Sequence, residues 1–106
     1  REAPSINLIK SLVKAGAVVN AYDPQAIYEA KFYLEGLKIN YFDNKYNALK
    51  KSDAVILVTE WKEFRSPDFN RMLNIMKGNV FIDGRNQFEK GYMNSQGFNY
   101  LQIGVK

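Results

Sequence analysis

Four short stretches of this chain carry the side chains best suited to chemistry. Asp83-Gly84-Arg85-Asn86 sets an arginine beside a glycine. The glycine lets a ligand come close to the backbone, and the planar guanidinium fork suits a phosphate. The same four residues also read as a tight turn with a solvated arginine. Thr59-Glu60-Trp61-Lys62-Glu63-Phe64-Arg65 mixes two carboxylates, two cations and two aromatics. It reads equally as a ligand loop or as a solvated loop pinned by Trp61 and Phe64. Tyr22-Asp23-Pro24 offers a carboxylate that can hold the ribose hydroxyls of a dinucleotide. The glycine-rich turn that should stand about 20 residues earlier would fall before Arg1. Asp23 serves as well for a helix N-cap. Arg1-Glu2, taken alone, is a solvated pair.

What is missing narrows the chemistry further. The chain has no cysteine and no histidine. Thiolate and imidazole, the most versatile nucleophile and general base, are therefore unavailable, and no catalytic residue is assigned. No Cys/His metal centre is possible, and no carboxylate set converges to replace one. The net charge of +4 permits anionic partners. The basic residues are scattered, with Lys50-Lys51 the longest run, which argues against nucleic acid. No apolar run reaches the roughly 20 residues of a membrane span, and no signal peptide is visible. With no disulfide possible, a cytoplasmic protein is expected. A chain of 106 residues, 46% hydrophobic and 25% charged, fits one folded domain over 1–106.

The elements that must position these clusters are punctuated by proline and glycine. Pro4, Pro24 and Pro67 each open a stretch of helical spacing, as suits the first helical position. Asp23 and Ser66 stand where N-caps belong, and Gly16, Gly36 and Gly78 follow such stretches as C′ residues. The spacing predicts helices over 4–15, 24–35, 44–51 and 67–77, and a helical or turn segment over 88–95. In the first, Ile6, Leu8, Ile9, Leu12 and Val13 form one apolar stripe. Strands are predicted over 17–22, 37–42, 54–59, 79–82 and 99–103. The run Ala54 to Thr59 is apolar on both faces, as in the buried middle of a parallel sheet.

This alternation implies an α/β fold: a three-layer, Rossmann-like parallel sheet with helices on both faces. A doubly wound sheet places its first strand at the centre, yet the chain opens on a helix. The central strand is then missing from the chain, and residues 1–106 are expected to be a fragment of a longer protein. The strands at 17–22 and 54–59 should not pair directly. In such a sheet, ligands bind outside the carboxyl ends of the strands, where the four clusters are expected to fall.

Taken together, Arg-Glu-Ala-Pro-Ser (1–5), Gly-Ala-Val-Val-Asn-Ala-Tyr-Asp-Pro (16–24), Val-Thr-Glu-Trp-Lys-Glu-Phe (58–64) and Phe-Ile-Asp-Gly-Arg-Asn (81–86) resemble one family. It is the UDP-glucose/GDP-mannose dehydrogenase family, in its carboxy-terminal UDP-binding domain. Gly97-Phe98-Asn99-Tyr100 and Ile103-Gly104 fit as well, and Thr59-Glu60-Trp61 resembles the UDP-glucose branch. The resemblance implies the nucleotide-sugar-binding lobe of an enzyme that oxidises UDP-glucose to UDP-glucuronate with NAD in two steps. It implies that NAD is bound mainly by an amino-terminal domain. A central helical region would supply the catalytic cysteine and dimerise, so the whole enzyme would be a homo-oligomer. Arg1 would reach the NAD, and Arg85 would bind the UDP-sugar. The lobe alone would not be catalytic. The alternatives are the UDP-N-acetylmannosamine or GDP-mannose branch, or a free-standing nucleotide-binding or scaffold module.

Overall fold

The computed structural model describes residues 4–22, 31–58 and 67–103. The chain divides into two compact units, residues 1–48 and 49–106.

The first unit begins with helix α1 (Pro4–Lys14). Ile6 is buried, Leu8, Ile9, Leu12 and Val13 are half-buried, and Asn7, Ser11 and Lys14 are exposed, so the apolar stripe faces inward. The helix ends in a Schellman motif. Gly16 sits at φ 94, its N–H donates to Val13 O, and the Ala17 N–H donates to Leu12 O. Strand β1 (Val19–Tyr22) follows and pairs in parallel with β2 (Ile39–Phe42), Val19 opposite Ile39. Asn20 ties the pair together. Its Oδ1 accepts from Asn40 Nδ2 at 3.0 Å, and its own Nδ2 donates to Ala48 O at 3.0 Å. Ala48 lies on α2 (Lys45–Leu49), which Asn44 caps by accepting the N–H groups of Tyr46 and Asn47. Of the helix expected over 24–35, residues 31–33 are helical and Gly36 holds φ 84, as a C′ glycine should. The start of that helix lies outside the described residues.

In the second unit the order is β3 (Ala54–Leu57), α3 (Phe69–Ile75), β4 (Val80–Asp83), α4 (Lys90–Gln96) and β5 (Asn99–Gln102). The three strands form a parallel sheet ordered β3-β4-β5. Among the described residues the β1-β2 pair and the β3-β4-β5 sheet are separate. One face of the β3-β4-β5 sheet is closed by a dense aromatic cluster. Phe81 and Tyr100 are buried on it, and Phe69, Phe88 and Phe98 meet Phe81 or one another edge to face at 5.4–5.8 Å. Each such pair adds about 0.5–1.5 kcal/mol beyond the area it buries.

Three details differ from the sequence reading. α3 starts at Phe69, and its N-cap is Asp68 rather than Ser66, with Pro67 buried just before it. Asp68 Oδ1 accepts the Arg71 N–H at 3.0 Å, and a carboxylate there also meets the positive end of the helix dipole. Gly78 does not close α3, whose cap Met76 is extended. Gly78 is needed where two backbones cross, because a Cβ there would lie 2.3 Å from Asp53 O. The run is also less buried than its apolar character implied: Ala54 of β3 and Val58 just past its end are exposed, and β3 has a strand neighbour on one side only among the described residues.

Candidate functional site

Parallel pairing brings three strand ends to one edge. Leu57 of β3, Asp83 of β4 and Gln102 of β5 are register partners, so the carboxyl ends of these strands finish level. This is the side on which sheets of this kind take their ligands. The turn leaving β4 is fitted tightly against the β3 end. Gly84 donates its N–H to Leu57 O at 2.8 Å, and a Cβ at Gly84 would stand 2.9 Å from the same oxygen. Only glycine can occupy this position without pushing the turn away from the sheet.

Asp83 is the anchor of that turn. It is fully buried. Its Oδ1 accepts the Arg85 N–H at 2.9 Å, and its Oδ2 accepts the N–H groups of Gln87 at 2.8 Å and Phe88 at 3.1 Å. The Tyr100 hydroxyl donates to the same Oδ2 at 2.5 Å. Four donors reach this carboxylate, three at Oδ2 and one at Oδ1. Backbone N–H groups thus meet the carboxylate's hydrogen-bonding needs, which makes its burial tolerable. Burial first, and then the bond to Asp83, push the Tyr100 hydroxyl up to about 12. Phe88 O, at the far end of the turn, accepts from Gln102 Nε2 at 2.9 Å and lies 3.0 Å from the Tyr100 hydroxyl. Among the described residues no buried side-chain polar atom lacks a partner.

Within this frame Arg85 is exposed, and Asn86 next to it holds φ 52, a left-handed conformation that asparagine tolerates. The turn therefore fixes the backbone of Arg85 at the carboxyl edge of the sheet. Such an arrangement can hold an anionic oxygen by charge-assisted bonds. Among the described residues no three His, Cys, Asp or Glu come together to hold a metal. Nor is any described helix long and apolar enough to cross a membrane.

Of the residues singled out in the sequence, Arg85 and Asp83 belong to this edge. Arg1, Asp23 and the stretch Thr59 to Arg65 lie outside the described residues. Sequence reasoning missed Tyr100 and Gln102. Their one signal was the alternation in Asn99-Tyr100-Leu101-Gln102, which sets Tyr100 and Gln102 on one face of a strand. Which partner they meet depends on the β4–β5 register.

Comparison with known proteins identifies the family. The sequence model of the UDP-glucose/GDP-mannose dehydrogenase family, UDP binding domain, matches residues 1–90. A UDP-glucose 6-dehydrogenase of Pseudomonas aeruginosa is 40% identical over 108 residues, covering 98% of this chain and 24% of that protein. One from Rhizobium meliloti is 38% identical over 104 residues, covering 98% of this chain and 23% of that protein. A third, from Bacillus subtilis, is 38% identical, covering 98% of this chain and 22% of that protein. The chain thus spans about a quarter of the length of the curated relatives it matches. Among solved structures, a UDP-D-ManNAc dehydrogenase from Pyrococcus horikoshii shares the fold, with a TM-score of 0.56 at 20% identity over 92% of this chain and 29% of that one. By family model and by relatives alike, the chain belongs to the UDP-glucose/GDP-mannose dehydrogenase family, in its UDP-binding domain.

Proposed function

We propose that residues 1–106 act as the nucleotide-sugar-binding lobe of an NAD-dependent UDP-glucose 6-dehydrogenase. The observation that carries this reading is the Asp83-anchored turn, which sets Arg85 at the carboxyl edge of the β3-β4-β5 sheet. In this reading Arg85 binds the UDP-sugar by paired charge-assisted bonds to its phosphates. Its turn is already held by hydrogen bonds to Asp83, which lessens the ordering that would oppose binding.

The described residues contain no glycine-rich strand-to-helix turn of the kind that cradles a dinucleotide. NAD, which accepts hydride in this chemistry, is therefore assigned mainly to other parts of the polypeptide, with Arg1 reaching towards it. With no cysteine in the sequence, the covalent step draws its nucleophile from elsewhere in the polypeptide. The names of the relatives support UDP-glucose as the substrate. A cytoplasmic homo-oligomer completes the proposal.

NADH formation from UDP-glucose and NAD tests it. A polypeptide that joins this lobe to the remaining three quarters of a relative's length should reduce NAD, and the 106-residue chain alone should not. Steady NADH production by the purified 106-residue chain, above a buffer control, would overturn this division of labour.

A further inference from the structure

We propose that Tyr100 is a positioning residue for Arg85: its buried hydroxyl, acting through Asp83, sets the turn that presents the guanidinium to the phosphates of UDP. The inference rests on the reading above that Arg85 contacts the UDP-sugar. Tyr100 is only 1% exposed, so its hydroxyl has no solvent-facing role. It bonds at 2.5 Å to Asp83 Oδ2, the same oxygen that receives the Gln87 and Phe88 N–H groups. Asp83 Oδ1 in turn holds the N–H of Arg85 itself. The far end of the turn is tied by Gln102 Nε2 to Phe88 O, and Gln102 lies two residues beyond Tyr100 on the same strand. β5 therefore grips both the anchor and the exit of the turn, and Arg85 sits between these two grips. Without the Tyr100 hydroxyl, Asp83 Oδ2 keeps two of its three donors and the carboxylate is free to tilt. The backbone of Arg85, hung on the other oxygen, would tilt with it. Ordering that is lost from the free protein must then be recovered on binding, which weakens affinity without removing any atom that touches the ligand.

A double-mutant cycle read by calorimetric titration of UDP tests this in the intact polypeptide. Tyr100→Phe should weaken UDP binding about 5- to 20-fold. In an Arg85→Ala background it should change binding by less than about 2-fold further, because nothing remains to be positioned. In turnover, Tyr100→Phe should raise KM for the UDP-sugar and leave kcat and KM for NAD in place. If Tyr100→Phe proves poorly folded in a parallel melt, Gln102→Leu cuts the other tie and should show the same non-additive loss. UDP affinity unchanged in both turn variants while Arg85→Ala weakens it would overturn the positioning role and leave the Arg85 reading standing. Losses that multiply fully with Arg85→Ala would also overturn it. UDP affinity unchanged in Arg85→Ala would overturn both.

Discussion

Asp83 and Tyr100 share one short hydrogen bond, and the hydroxyl that donates it is held protonated well past its ordinary range. The sign of the resulting pH dependence follows from linkage. Between about pH 10 and pH 12 the unfolded chain has lost this proton and the folded chain keeps it, so stability falls as pH rises through that window. Below pH 10 the contribution is fully present. The difference in melting temperature between the wild type and Tyr100→Phe should therefore be constant near neutrality and shrink from pH 10 to 12. A difference that stays flat across that range would show that the hydroxyl ionises freely. Removing the carboxylate is harsher. Asp83→Ala leaves three backbone N–H groups without this acceptor, strips the Tyr100 hydroxyl of the shorter of its two acceptors, and should cost about 3–5 kcal/mol in chemical denaturation. At this scale the sequence was half legible. Asp-Gly-Arg-Asn announced a turn carrying an arginine, and Arg85 stands on such a turn. Asp83 read only as a turn residue, because the buried hydroxyl that bonds it belongs to Tyr100, 17 positions later in the chain.

Elements were legible where their signals are local. Gly16 and Gly36 end their helical stretches in left-handed conformations, as the spacing predicts. α4 follows the same grammar more fully. Glu89 caps its start by accepting from Gly91 and Tyr92, and Gly97 at φ 112 closes it, with Phe98 N–H returning to Met93 O. Replacing Gly97 by alanine should cost about 1 kcal/mol, the price of a left-handed residue with a side chain. Gly78 and Gly84 belong to a different class, invisible to local rules. Both are glycine because a backbone carbonyl oxygen from a distant part of the chain stands where a Cβ would go, Asp53 O just before β3 and Leu57 O at its end respectively. Gly78→Ala meets backbone at 2.3 Å and should destabilise by about 2–4 kcal/mol in urea unfolding, more than Gly97→Ala. An equal or smaller loss would mean the two backbones part easily. The start of α3 was misplaced for a related reason. Ser66-Pro67 and Asp68 compete as helix starts within three residues, and the carboxylate wins once the Arg71 N–H is in reach.

At the scale of the whole molecule, the alternation of strands and helices gave the α/β class, and two parallel sheets flanked by helices bear it out. Pairing was harder to read, since strand order depends on contacts between distant segments. The run at Ala54 pointed to the sheet's buried middle, whereas β4, with Phe81 and Asp83 fully buried, is the middle strand of its sheet. The central claim is that this domain recognises the UDP half of a nucleotide sugar through Arg85. Steady-state kinetics on the intact polypeptide, varying one substrate at a time, test it most directly. Arg85→Ala should raise KM for UDP-glucose roughly 10- to 150-fold, the equivalent of about 1.5–3 kcal/mol for a charge-assisted contact, and leave KM for NAD nearly in place. Arg85→Lys restores charge without the paired geometry and should recover only part of the loss. An unchanged KM for UDP-glucose in Arg85→Ala would contradict the account and return Arg85 to a solvated residue on a turn.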